Sequence, residues 1–242
     1  MDEAQAMERA LSLAWRGWGR VHPNPLVGAV LLREGRIVGE GFHAEFGGPH
    51  AEAAALAIAG EAARGATAIV TLEPCAHFGK QPPCADALIA AGVRRVVFAI
   101  ADPNPQASGG AERLRAAGID VAHGVDAERA AIQNAAFLHR FRETGRPYVA
   151  LKLATSIDAR IADPEGRSRW ISGPEAREYV HWLRAGFDAI GVGGRTAAVD
   201  DASLTVRGTV EPRRTPNTRD PSWSDNLRRR LHTPGARRYV RG

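Results

Sequence analysis

The spacing of apolar and polar positions changes period several times along the chain, and each change predicts an element. Residues from about Ala4 to Trp18 carry Ala6, Leu11, Leu13 and Ala14 at helical spacing among polar neighbours. After the turn residues His22-Pro23-Asn24-Pro25, the apolar run Leu26 to Leu32, the pair Glu34-Gly35 and the segment Arg36 to Gly41 predict a β-hairpin. An Ala-rich helix is expected over His50 to Ala59, and a buried strand over Ala66 to Leu72. Helices at Ala85 to Ala91 and Ala111 to Ala117 alternate with strands at Arg95 to Ala101 and Ile119 to His123. A further helix, Asp126 to about Arg142, closes the series. Strands alternating with helices imply a three-layer α/β/α domain with a largely parallel portion of sheet.

Thr144-Gly145-Arg146-Pro147 marks a boundary, so the first domain is expected over 1–145. A second segment, 147–207, is expected to hold a strand at Tyr148 to Ala154, a helix at Pro174 to Ala185 and a strand at Ala189 to Gly193. Beyond Arg207 the periodicity ends. Residues 208–242 are rich in Arg and interrupted by Pro212, Pro216, Pro221 and Pro234, which predicts a disordered tail.

Charge follows the same division. The chain of 242 residues has a formal net charge of +5, and 208–242 alone carry nine Arg against three acids, leaving the remainder near −1. Basicity therefore sits in the tail, which argues against a nucleic-acid-binding face on the first domain. No long uncharged apolar stretch is present and the N-terminus is acidic, so neither a membrane span nor a signal peptide is expected and the cytoplasm is the default location. In such a compartment the two cysteines are read as reduced metal ligands rather than a disulfide.

Those cysteines belong to the most informative pattern in the chain. His50-Ala51-Glu52, then Pro74-Cys75, then Cys84 supplies one imidazole, two thiolates and a carboxylate beside the imidazole. Three ligands, His50, Cys75 and Cys84, leave one tetrahedral position of Zn²⁺ open for chemistry, with Glu52 as the proton shuttle. H-x-E followed by P-C-x-x-C is the zinc-deaminase signature; here the two cysteines are separated by a longer loop.

The longer loop and the flanking residues carry a resemblance. His22-Pro23-Asn24-Pro25-Leu26-Val27-Gly28, Pro49-His50-Ala51-Glu52, Thr71-Leu72-Glu73-Pro74-Cys75-Ala76-His77, Pro82-Pro83-Cys84 and Asp102-Pro103-Asn104-Pro105 resemble the bifunctional deaminase/reductase family of riboflavin biosynthesis. The resemblance implies a cytidine-deaminase-like first domain that hydrolytically deaminates a phosphoribosylated diaminopyrimidinone. It places Glu52 as catalytic acid/base, His50, Cys75 and Cys84 on zinc, and Asn24, His43, Ala51, His77 and Lys80 around the substrate. The family commonly has Ser and His where Ala76 and Phe78 stand.

In 147–207 the resemblance is to the first half of a dihydrofolate-reductase-like, NADPH-dependent reductase. It matches Ala154, Trp170, Thr196 and Asp200 to cofactor contacts, and Ser168, Arg184, Leu204 and Arg207 to substrate contacts. The family's later strands and Gly-rich turn have no counterpart after Arg207, so an incomplete reductase without activity is expected. The resemblance also implies a homo-oligomer. Two other readings compete: a deaminase of another nucleobase or of nucleic acid, and a degenerate partner-binding module.

Overall fold

The computed structural model describes residues 1–79, 82–142, 145–200 and 203–209. The chain divides into two units, Met1–Tyr148 and Val149–Gly242.

The first unit is built on a five-stranded sheet. Helix α1 (Glu3–Ala14) is followed by β1 (Gly28–Arg33), β2 (Arg36–Phe42), α2 (Ala51–Ala59), β3 (Thr67–Leu72), α3 (Cys84–Ala90), β4 (Arg95–Ile100), α4 (Gly110–Ala116) and β5 (Asp120–His123). Two short helices, α5 (Ala127–Gln133) and α6 (Ala135–His139), complete it. The strand order is β2-β1-β3-β4-β5. β1 pairs antiparallel with both β2 and β3, whereas β3 with β4 and β4 with β5 are parallel. The three-layer arrangement read from the alternation of strands and helices is thus present.

Period-2 alternation divides the sheet residues between two cores. Ala29, Leu31, Ala68, Val70, Val96 and Phe98 face Ala51 and Ala55 of α2, Leu88 of α3 and Leu114 of α4. Val30, Leu32, Ile69 and Val97 face Met7 and Leu11 of α1 and Ala130 of α5. Each large side chain so buried contributes roughly 1.5–3 kcal/mol. α1 starts at a capping box in which the Asp2 carboxylate accepts from Gln5 N at 2.8 Å and the Gln5 side chain accepts from Asp2 N at 3.1 Å.

α2 lies unusually close on the hairpin. A Cβ added to Gly41 of β2 would fall 2.5 Å from the Ala51 carbonyl oxygen, so the backbones meet where only glycine fits. Alanine on the facing side of α2 completes that approach, and it brings the N-terminus of α2 directly onto the end of β2.

Three expectations are corrected. The single helix over Asp126 to Arg142 is two helices, because Asn134 leaves the helical conformation at φ −103° and ψ 19°. Its buried amide instead bonds Leu26, accepting from Leu26 N at 2.8 Å and donating to Leu26 O at 2.9 Å. The strands expected at Tyr148 to Ala154 and Ala189 to Gly193 do not form, and the described residues of the second unit contain no strand. Val149, Leu151 and Leu153 have the alternation of a strand but are exposed, without a neighbouring strand to pair their backbone. The second unit instead contains α7 (Pro174–Arg184), with proline in its first turn, and α8 (Gly194–Asp200), which the periodicity did not indicate. The tail expectation for 208–242 falls, from 210 onward, outside the described residues.

Candidate metal centre and pocket

Three chain segments deliver the site. His50 is the N-cap of α2, with extended φ −70° and ψ 160°, and this leaves Glu52 in the first helical turn. Cys75 follows the end of β3, and Cys84 opens α3. Local hydrogen bonds fix both cysteines: Ala85 N donates to Cys75 O at 3.1 Å, and Cys84 N donates to the Cys75 sulfur at 3.3 Å. On the other side Ala76 N donates to Ala107 O at 3.0 Å.

The donor atoms converge. His50 Nδ1 lies 3.2 Å from Cys84 Sγ and 3.6 Å from Cys75 Sγ, and all three ligand atoms lie within 4.8 Å of one another. Zn–S and Zn–N bonds of about 2.3 and 2.0–2.1 Å at a tetrahedral angle require N···S separations of about 3.6 Å, so the donor set fits that ion. Both cysteines are unpaired thiols rather than a disulfide.

Electrostatics match this reading. The hydrogen bond from Cys84 pushes the Cys75 thiol down to about 4, with His50 and the Cys84 backbone N–H adding to the effect against burial. The same sulfur-sulfur hydrogen bond, together with burial, raises Cys84, so without a metal the pair holds one proton between them. His50 is raised by its hydrogen bond to Cys75, against burial. Burial pushes the Glu52 carboxyl up to about 7, opposed by its own backbone N–H and by His50. At 4% exposure Glu52 is a carboxylate kept from bulk water yet able to exchange a proton near neutrality.

A cavity of about 250 Å³ opens over this cluster. Asn24, His43, His50, Ala51, Glu52, Cys75 and His77 all line it, so residues expected around the metal and around the substrate meet in one place. Among the described residues His77 Nδ1 has no hydrogen-bond partner, although it is buried. Lys80, expected in the same group, lies outside the described residues. His43, expected around the substrate, lines the cavity, and both its ring nitrogens are also engaged within the protein: Nδ1 is 2.9 Å from Pro49 O and Nε2 3.1 Å from Asn24 Nδ2. Burial lowers its pKa, keeping it neutral.

The cavity also includes Asp102, Asn104 and Phe137, which were not singled out as site residues. A signal was available for the first two. Pro23-Asn24-Pro25 and Pro103-Asn104-Pro105 repeat the same tripeptide, and both asparagines face the cavity. The second copy is held by Glu73, whose buried carboxylate accepts from Asp102 N at 3.3 Å, Gly109 N at 3.2 Å and Ala111 N at 3.0 Å.

In the second unit, Arg184 donates to Thr205 O at 3.1 Å, and burial with the charge of Arg207 lowers its pKa. Leu204 beside Thr205 is buried, Ser168 half-buried and Arg207 exposed. Trp170 is 70% exposed, with the Arg177 guanidinium 4.5 Å above its ring. Arg169 donates to Asp200 O at 2.9 Å, which ties the Trp170 segment to the end of α8, the helix that also carries Thr196. Ala154 is half-buried in an irregular segment with no such tie among the described residues.

Comparison with known proteins agrees with the geometry. Residues 1–100 match the cytidine and deoxycytidylate deaminase zinc-binding region, and 147–234 match the RibD C-terminal domain. The class is therefore that of zinc-binding deaminase domains joined to a RibD-type C-terminal domain. Riboflavin biosynthesis protein RibD of Escherichia coli K12 is 54% identical over 208 residues, 86% of this chain and 56% of that protein. Its Aquifex aeolicus counterpart is 51% identical over 83% of this chain and 56% of its own. Among solved structures, Acinetobacter baumannii RibD superposes with a TM-score of 0.73 at 48% identity, covering 85% of this chain and 58% of that one. The diaminohydroxyphosphoribosylaminopyrimidine deaminase/5-amino-6-(5-phosphoribosylamino)uracil reductase of Thermotoga maritima gives 0.76 at 46%, covering 85% and 59%. The chain is thus similar to RibD proteins over both matched regions and spans just over half the length of these relatives.

Proposed function

We propose that the first unit is a zinc-dependent hydrolase that converts 2,5-diamino-6-(5-phosphoribosylamino)pyrimidin-4(3H)-one to 5-amino-6-(5-phosphoribosylamino)uracil. The observation that carries this reading is the meeting of His50, Cys75 and Cys84 in one cluster, of which His50 and Cys75, with buried Glu52, line a single cavity. His50 Nδ1 and the two sulfurs would hold zinc, which supplies Lewis acidity and makes water a nucleophile near neutral pH. Glu52 takes a proton from the attacking water and passes it to the ring nitrogen beside the amidine-like carbon. As the C–N bond breaks, Glu52 takes the proton of the added hydroxyl, which becomes the carbonyl, and delivers it to the departing amine, so one water is consumed and one ammonia released. A carboxyl near 7 is suited to both halves of that exchange. Asn24, Asn104 and Asp102 offer polar atoms for the ring, and His77, which lines the same cavity, is assigned to the phosphate.

The NADPH-dependent reduction is proposed to be absent from this chain. Trp170, matched to a cofactor contact, is largely exposed, and the described residues of the second unit form no sheet. Ammonia release by the zinc-loaded chain from the diaminopyrimidinone phosphate, from cytidine and from single-stranded RNA tests the first reading. Turnover of the first alone is expected, and none in Glu52→Gln with zinc retained. Ammonia release by that variant at the wild-type rate would refute it. NADPH oxidation in the presence of the aminouracil phosphate would overturn the second reading.

A further inference from the structure

Asn24 and His43 are both anchored through their backbones: Asn24 N donates to Val21 O at 2.9 Å, and His43 N donates to Val27 O at 2.9 Å. The imidazole of His43, 3% exposed, then connects the Asn24 side chain to the loop before α2. At one end Nδ1 lies 2.9 Å from the carbonyl oxygen of Pro49. A carbonyl only accepts, so Nδ1 carries the hydrogen. In a neutral ring Nε2 is then a bare lone pair, and the group 3.1 Å from it must donate. Only the NH₂ end of the Asn24 amide can do so.

We propose that His43 is a positioning residue that fixes the Asn24 amide in one orientation and thereby sets which hydrogen-bonding edge of a ring the pocket accepts. One Asn24 Nδ2 hydrogen is committed to His43, and Oδ1 and the second hydrogen remain for the ligand in a fixed order. An amide free to turn over would read a donor-acceptor edge and an acceptor-donor edge equally well. Held as it is, it distinguishes the N–H/C=O edge of a pyrimidinone lactam from the N/NH₂ edge of a cytosine-type ring, where donor and acceptor are exchanged. The selected class is a ring with a lactam edge. This rests on the deaminase reading above only for its substrate; the orientation itself follows from the two bonds to the imidazole.

Two measurements on the zinc-loaded full chain decide it. In a nitrogen-15 correlation spectrum, the His43 signals, assigned by their loss in His43→Gln, are expected to show a neutral ring protonated on Nδ1. A ring protonated on Nε2 overturns the proposal whether or not the protein deaminates anything. A double-mutant cycle supplies the second measurement. With the diaminopyrimidinone phosphate, His43→Phe is expected to raise KM about tenfold while kcat and zinc content hold, the loss of one oriented hydrogen bond. In an Asn24→Ala background the same substitution is expected to change KM no further, because His43 acts through Asn24. Additive effects on KM, or a fall in kcat with KM unchanged, would mean that the imidazole acts elsewhere. If His43→Phe does not fold, His43→Gln takes its place in the cycle. A wild-type chain that deaminates none of the substrates refutes the activity while leaving the tautomer result to judge the orientation.

Discussion

Replacing Glu52 by glutamine should stabilise the metal-free protein, by an amount that depends on pH. The carboxyl is 4% exposed, and burial raises it from its ordinary 4.5 to about 7. A group whose folded pKa is raised contributes its full stability below the unfolded pKa and loses it as pH climbs through the folded one. Well below pH 4.5, Glu52 is protonated whether the chain is folded or not. Between 4.5 and 7 the unfolded chain ionises while the folded chain resists, and above 7 the whole difference is felt. The separation of about 2.5 pH units corresponds to roughly 3 kcal/mol at 1.36 kcal/mol per unit. Glutamine is isosteric and never ionises, so any fixed cost of its amide is the same at every pH. Urea unfolding of the chelator-treated wild type and Glu52→Gln at pH 4.5, 6, 7 and 8, followed by circular dichroism, reads the difference directly. The variant should gain on the wild type steadily through this range, by about 3 kcal/mol in all, and level off above 7. A difference that stays flat with pH would refute the account of Glu52 as a carboxyl held neutral by burial.

Gly110→Ala should cost on the order of 3 kcal/mol and weaken zinc retention against a chelator, because its Cβ would sit 1.7 Å from the Pro74 carbonyl oxygen, beside Cys75. Thermal unfolding and metal-to-protein ratio check both. Glu73→Ala strands three backbone N–H groups, at about 1–3 kcal/mol for each that water cannot reach, so a large loss of stability is expected together with a raised KM from the freed Asp102–Asn104 wall. A wild-type KM in a folded Glu73→Ala variant would count against that role. Asn134→Ala removes both bonds to Leu26 and should lower stability by about 2 kcal/mol while leaving zinc content unchanged, measurable by urea titration and metal analysis.

The metal centre was legible because its chemistry is a matter of residue type. Imidazole, thiolates and an adjacent carboxylate in the order of 50, 52, 75 and 84 have few other uses in combination, and the alternation of periods gave the scaffold that gathers them. What escaped the sequence depends on side chains acting across long separations. Asn134 sits inside a stretch of helical composition, and nothing local announces that its amide is used 108 residues away on Leu26. His43 was recognisable as a pocket residue, but the partners of its two nitrogens, nineteen and six residues distant, decide whether it meets a ligand or orients a neighbour. The strands expected at 148–154 and 189–193 show the converse limit: alternation records which faces a segment could bury, whereas a strand also needs another backbone beside it.

The contacts of Gly39 and Gly41 of β2 with the backbone of α2, 2.3 and 2.5 Å from the Ala55 and Ala51 carbonyl oxygens for an added Cβ, limit how this pocket can be altered. Behind the helix that carries the ligand and the acid, backbone is laid against backbone, and any enlargement of a side chain there would lift the helix and carry His50 and Glu52 away from the sulfurs. Variation in ring size or substituents is therefore left to the turns around the rim, near Phe46, His77 and Asn104, where residues can be exchanged without disturbing the helix that carries the ligand and the acid.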